Sequence, residues 1–292
     1  MQVMPLGESD IKVSVLGFGA GHIGGNDFTE TEVSNLLNSA VDLGINLFDT
    51  ARAYGLSEER IGKHLSYRRN EIVISTKVGY GIAGVADWTF DSVSKGIVEA
   101  LRKFKTDYID IVHLHSCTLE VLQRGEVLEA LTGALEDGKI RVAAYSGENE
   151  GLEFAASTGK FGSLQCSINL FDQRNIDRIL PIAKEKNIGI IAKRPIANVP
   201  WRFDQQPFGD YCEEYWKRMK KMNLMLDIDW LEAAIRFSAY TEGVASIIIG
   251  TASIDHLKKN IQFLEKGKLP SKIYSLIRKT FQNNDNDWVG QI

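Results

Sequence analysis

Eight times along these 292 residues a short apolar run is followed by apolar residues at helical spacing. This alternation constrains the fold more than any other feature. The runs cover about 13–19, 46–49, 71–77, 109–115, 140–145, 163–168, 188–193 and 245–249. The helical patterns cover about 29–43, 57–66, 90–104, 119–136, 149–157, 174–186, 227–239 and 253–265. Strands alternating with helices indicate parallel βαβ units, because a parallel connection needs a crossover. Eight units in series, with no linker-like break, predict one α/β domain over 1–292, a closed (β/α)8 TIM barrel. Residues 1–14 surround the turn cluster Gly7-Glu8-Ser9-Asp10 and predict a small N-terminal β-hairpin acting as a lid on the body. A last helix is expected near 271–281. The stretch 197–226 reads as irregular, a long loop at the C-terminal face of the barrel.

Helix boundaries follow from local chemistry. Thr29 and Glu32 form a capping box, and Gly44 stops that helix. Ser57 is placed to cap the helix after Gly55, and Gly138 ends the 119–136 helix. Gly19-Ala20-Gly21-His22-Ile23-Gly24 matches GxGxxG. In a dinucleotide fingerprint, however, the glycines open straight into the helix, whereas here the helix starts at Thr29. These glycines are expected to line a pocket.

Composition excludes several function classes. The formal net charge is −4, so no basic nucleic-acid footprint is present. The three scattered cysteines (117, 166 and 212) fit reduced thiols and a cytoplasmic setting, not a disulfide framework. No apolar run reaches the roughly 18 residues of a membrane span. No basic region followed by an apolar run opens the chain, so no secretory signal is expected.

Barrel active sites lie at the carboxyl ends of the strands. The polar residues there are Asp49, with Tyr54 on the following loop, then Lys77, His115, Ser146, Gln165, Lys193-Arg194 and Gly250-Thr251. A lysine ending an apolar strand needs an acid partner, since an unpaired buried charge is costly, and Asp49 on the adjacent strand can supply it. An ammonium beside a phenol stabilises the phenolate, which makes Tyr54 a proton donor and acceptor. His115 can hydrogen-bond the same substrate oxygen. The set suits protonation of a carbonyl oxygen as hydride reaches its carbon.

The stretch Gly44-Ile45-Asn46-Leu47-Phe48-Asp49-Thr50-Ala51-Arg52-Ala53-Tyr54-Gly55-Leu56-Ser57-Glu58 resembles the signature of the aldo-keto reductase superfamily. Ser75-Thr76-Lys77, Asp107 to His115, and Ile249-Gly250-Thr251 with Asn260 agree in order and spacing. The resemblance runs from about residue 6 to about 266. It implies a catalytic tetrad of Asp49, Tyr54, Lys77 and His115, and an NADP(H) cofactor, with NAD(H) as the alternative. It also implies that Ser146 and Gln165 hold the nicotinamide carboxamide. The backbone of 250–253 and the start of the helix at Ser253, with Asn260, would hold the adenosine-side phosphate, as helix N-termini bind anions. The expected substrate is a small aldehyde, ketone, sugar or the matching alcohol.

Three positions depart from the family pattern. Gly147 follows Ser146 where Asn is common. Lys193 stands where an aromatic ring often covers the nicotinamide, so it or Arg194 reaches the pyrophosphate instead. Gly250 and His256 occupy positions of common basic residues, and Lys258 or Lys259 is left to compensate.

Rival readings attach to the same residues. His113, His115 and Cys117 lie on one face of a strand, as metal ligands could, but the later chain offers only His256 as a further histidine; no metal is expected, and His113 reads as a satisfied interior side chain. Lys77 could form a Schiff base in a lyase, which leaves Tyr54 and the phosphate site at 250–260 less well explained. The barrel could also serve as a cofactor-sensing regulatory subunit with little turnover. Trp88, Trp201, Phe203 and Trp216 either wall the substrate or pack the loops.

Overall fold

The computed structural model describes residues 1–292. In chain order the elements are β1 (Val3–Pro5), β2 (Lys12–Ser14), β3 (Leu16–Gly19), α1 (Glu30–Asp42), β4 (Leu47–Asp49), α2 (Ser57–Leu65), β5 (Val73–Val78), α3 (Phe90–Phe104) and β6 (Ile109–His115). Then follow α4 (Leu119–Arg124), α5 (Glu126–Glu136), β7 (Ile140–Ser146), α6 (Asn149–Thr158), β8 (Ser163–Ser167), α7 (Arg174–Arg178), α8 (Leu180–Glu185) and β9 (Gly189–Lys193). The chain ends with α9 (Glu213–Met222), α10 (Trp230–Tyr240), β10 (Val244–Ile249), α11 (Ile254–Glu265) and α12 (Ser271–Asn284). Strands β3 to β10 close into the predicted eight-stranded parallel barrel, with β10 beside β3.

The hairpin β1–β2 pairs Val3 with Ser14 and Pro5 with Lys12. It is indeed a lid, and it covers the amino-terminal end of the barrel. Leu6, Ile11 and Val13 are buried with Leu47, Val73, Ile111, Val142 and Ile191, which fill the lower lumen. Burial of each such side chain is worth about 1.5–3 kcal/mol, enough to hold a two-stranded hairpin that is marginal alone. A larger apolar layer lies between the strands and the outer helices. With one end plugged and the lumen filled, access remains at the carboxyl ends of the strands.

Several local expectations change. Thr29 and Glu32 make the capping box as read. Ser57 does not cap α2: its hydroxyl accepts from Thr50 Oγ1 and donates to the Ala20 carbonyl, tying the first two barrel loops together. The 119–136 helix breaks at Gly125, whose φ is +86°. The 174–186 helix breaks after Arg178, because Pro181 lacks the N–H that would bond back to residue 177. The stretch 197–226 is not wholly irregular. It contains a 3-10 turn, Pro200–Arg202, and α9, which seats Tyr215 and Met222 in a separate apolar cluster with Phe171, Phe237 and Phe281. Cys117, Cys166 and Cys212 are free thiols, and all three are buried. No helix is long and apolar enough to cross a membrane.

Candidate active site

A cavity of about 980 Å³ opens at the carboxyl ends of the strands. Asp49, Tyr54, Lys77 and His115 all line it, as do Ser146, Gln165, Lys193, Arg194, Gly250, Thr251 and Asn260. Ser253 does not: its hydroxyl caps α11 by accepting from the His256 N–H.

Each side chain reaches the cavity by strand register. Asp49 pairs with Ser75, and Lys77 pairs with His113. Side chains two residues apart share a face, so Ser75 and Lys77 of β5 both enter the lumen. Lys77 Nζ donates to Asp49 Oδ2 at 2.6 Å and to the Thr50 carbonyl at 2.7 Å. The other oxygen, Asp49 Oδ1, accepts from Ser75 Oγ and from Gln165 Nε2, each at 2.8 Å. Ser146 Oγ donates to Gln165 Oε1 at 3.0 Å. A hydrogen-bonded bar therefore crosses the barrel from β7 and β8 to β4 and β5. Burial alone would raise the pKa of Asp49, but the Lys77 charge, with smaller help from His113 and Gln165, holds it below the usual carboxylate value.

His113 lies under this bar. Burial, and then the Lys77 charge, push its pKa down to about 3. Its Nε2 is 3.0 Å from Ser75 Oγ. The Ser75 proton is committed to Asp49, a carboxylate that only accepts, so His113 donates from Nε2. Its Nδ1 has no partner, so the expected satisfied interior histidine is satisfied on one side only. His113, His115 and Cys117 do not converge, and no group of three His, Cys, Asp or Glu side chains is placed to hold a metal.

Tyr54 is carried by a turn that two glycines hold. A Cβ on Gly24 would lie 1.9 Å from the Tyr54 carbonyl oxygen, and one on Gly55, at φ +52°, would lie 2.5 Å from the Gly24 carbonyl. Leu56 N–H donates to that Gly24 carbonyl at 3.1 Å. The GxGxxG segment is thus a pocket-lining loop, as its position before α1 implied; Gly19 and Gly21 face the cavity. The Tyr54 ring centroid is 5.3 Å from Lys77 Nζ and 6.0 Å from the His115 ring, edge on.

His115 ends β6 with its Nδ1 2.9 Å from Tyr80 Oη. Burial first, then the charges of Lys77 and Lys193, lower its pKa to about 3, so it is neutral at pH 7. Sequence reading missed Tyr80. The available signal was its place three residues beyond Lys77, in a turn between Gly79 and Gly81, both at positive φ.

Lys193 Nζ lies 3.3 Å from Glu148 Oε1. Glu148, also missed, sits two residues past Ser146 and is 4 % exposed. Arg194 turns to the chain's end, donating to the Gln291 carbonyl and, at 3.0 Å, to Tyr211 Oη. Ile292 thereby enters the cavity wall. Of the four loop aromatics, Trp201 lines the cavity and stacks on Trp230, with centroids 5.7 Å apart. Trp88 packs on Tyr80, and Trp216 donates to the Phe203 carbonyl. His22, His256 and Lys259 line the cavity beside Gly250 and Asn260; Lys258 does not.

The parallel eight-stranded barrel brings an acid, a phenol, a lysine and a histidine together at its open end. The Aldo/keto reductase family model matches residues 15–281, and the chain belongs to that family. The aldo-keto reductase AKR11C1 of Bacillus halodurans, in a structure described as its holo form, superposes with a TM-score of 0.83 at 28% identity, over 96% of each chain. An uncharacterized oxidoreductase, YqkF, of Bacillus subtilis is 29% identical over 90% of both chains. L-galactose dehydrogenase of Arabidopsis thaliana is 25% identical over 89% of this chain and 87% of its own.

Proposed function

We propose that this aldo-keto reductase interconverts the carbonyl of an aldehyde, ketone or sugar with the corresponding alcohol, using NADP(H), with Tyr54 as general acid and base. The family is typically NAD(P)H-dependent. The cofactor's leftover partners support the reading. After bonding each other, Ser146 Oγ can still accept and Gln165 Nε2 can still donate, the complement of a carboxamide. Near Gly250 and Asn260, Lys259 offers a charge for a phosphate, which favours NADP(H) over NAD(H). The name of the Arabidopsis relative supports including sugars.

When bound, the nicotinamide supplies a hydride to the carbonyl carbon or takes one from the alcohol carbon. The rest is done by side chains. Tyr54 Oη gives its proton to the carbonyl oxygen, and the phenolate that remains is stabilised by the Lys77 ammonium. In the oxidative direction the phenolate takes the hydroxyl proton back. Asp49 holds Lys77 in place, and neutral His115 orients the oxygen by donating from Nε2.

One observation carries the proposal: the Asp49–Lys77 ion pair, fixed at 2.6 Å, lies beside the Tyr54 ring at the cavity floor. Tyr54→Phe removes the proton and keeps the ring. Turnover of a carbonyl panel should fall at least about 100-fold, while fluorescence titration with NADPH stays near wild type. Undiminished turnover in that variant rules out the mechanism.

A further inference from the structure

We propose that Tyr80 is a positioning residue that locks His115 in the tautomer carrying its proton on Nε2. The inference rests on the functional reading above only for its kinetic consequence.

The lock starts from a hydroxyl with a single hydrogen-bond partner in the protein. Tyr80 Oη meets His115 Nδ1 at 2.9 Å. Burial first, then the nearby Tyr54 and Asp87, raise the pKa of Tyr80, so it stays a phenol with a proton to give. His115 is neutral and has one nitrogen free to accept. With the phenol donating to Nδ1, the imidazole proton resides on Nε2. His115 Nε2 has no protein partner, and the residue lines the cavity beside Tyr54. In the other tautomer an Nε2 lone pair would face the substrate oxygen and repel it.

The surrounding loop is built to hold this contact. The Tyr80 ring stacks on His115, with centroids 5.5 Å apart and 24° between planes, and packs on Trp88 at 5.3 Å. Both flanking glycines are pinned. The Gly79 carbonyl accepts from Trp88 N–H at 2.7 Å and Ser92 Oγ at 3.0 Å. The Gly81 carbonyl accepts from Arg52 Nε at 3.1 Å and Nη2 at 2.9 Å, and its N–H donates to Asp87 Oδ1 at 2.9 Å. Arg52, on the Tyr54 turn, thus ties that turn to the Tyr80 loop.

The test is Tyr80→Phe in protein labelled with 15N-histidine, with His115 assigned by comparison with His115→Gln. In the wild type at pH 7, Nε2 should resonate as protonated and Nδ1 as an acceptor. In the Phe variant the two resonances should move towards a tautomer average. Carbonyl reduction should lose about fivefold in kcat, the worth of one neutral hydrogen bond, with KM and the NADPH Kd nearly unchanged. Arg52→Gln, which frees the Gly81 carbonyl and leaves the phenol in place, should shift the resonances the same way by less. A proton on Nδ1 in the wild type, or 15N shifts unmoved by Tyr80→Phe, overturns the lock. Moved shifts in a protein that turns over no carbonyl support the lock and overturn the functional reading instead.

Discussion

Lys77 and Lys193 each end a barrel strand and each faces a carboxylate, but the two pairs are built differently. The Lys77 side chain is 2% exposed and holds two short acceptors. Its carboxylate, Asp49, also receives Ser75 and Gln165. The Lys193 side chain is 12% exposed, and its nearest carboxylate oxygen is 3.3 Å away. Glu148 is already occupied by the Ser167 N–H and by Asn175 Nδ2, at 2.8 and 2.9 Å. Burial lowers the pKa of Lys193, and Glu148 offsets this only in part. A tightly satisfied ammonium is a fixed charge that polarises its neighbour. A loosely held one is free to turn to an anion, and the expectation is that Lys193 or Arg194 reaches the cofactor's pyrophosphate.

The comparison is sharpest when both lysines become methionine. Lys77→Met leaves Asp49 buried without its cation. Breaking such a pair costs about 3–5 kcal/mol of stability, read by denaturant unfolding, and turnover should fall about 100-fold or more. Lys193→Met leaves Glu148 with two hydrogen bonds, so the loss should be about 1–3 kcal/mol. Its main effect should be on NADPH, with Kd rising about tenfold while kcat changes little. Equal losses of kcat in the two variants would erase the distinction.

The smallest effect is one of pH. His115 has a pKa lowered to about 3 by burial and the two ammonium groups. Its neutral, donating form therefore persists as pH falls well below an ordinary histidine value near ~6.5. The profile of kcat/KM for reduction should show no acid break between pH 5 and 8. A break near ~6.5 that disappears in His115→Gln would mean that burial and the lysines do not hold it neutral.

The parts legible in the sequence are those whose cause is local. Apolar runs ending in Asp49, Lys77 and His115 mark strand ends, and strand ends in a barrel share one rim. The capping box at Thr29 is a four-residue signal. What escaped depends on distant partners. Gln165 was expected in the site, but not its hydrogen bond to Asp49 across 116 residues of chain. Glu148 and Tyr80 gain their meaning from Lys193 and His115 on other strands. Ser57 looked like a cap because its partners, Ala20 and Thr50, become neighbours only when the barrel closes. Helix α9 has no side-chain cap and many lysines and arginines, so only the short stripe Tyr215, Met219 and Met222 signalled it, and its cluster draws on α10, α12 and the loop after β8.

The two ends of the polypeptide leave the barrel on opposite sides. Met1 lies against Gly44, below β4 at the plugged end. At the other end Gly290 exchanges two hydrogen bonds with Asn149, Arg218 holds the Val289 carbonyl at 2.6 Å, and Ile292 borders the cavity. Anything appended after Ile292, such as an affinity handle or a fusion partner, emerges in the path that ligands must take. Anything attached ahead of Met1 stands clear, so a surface anchored through that end presents the open rim to solution.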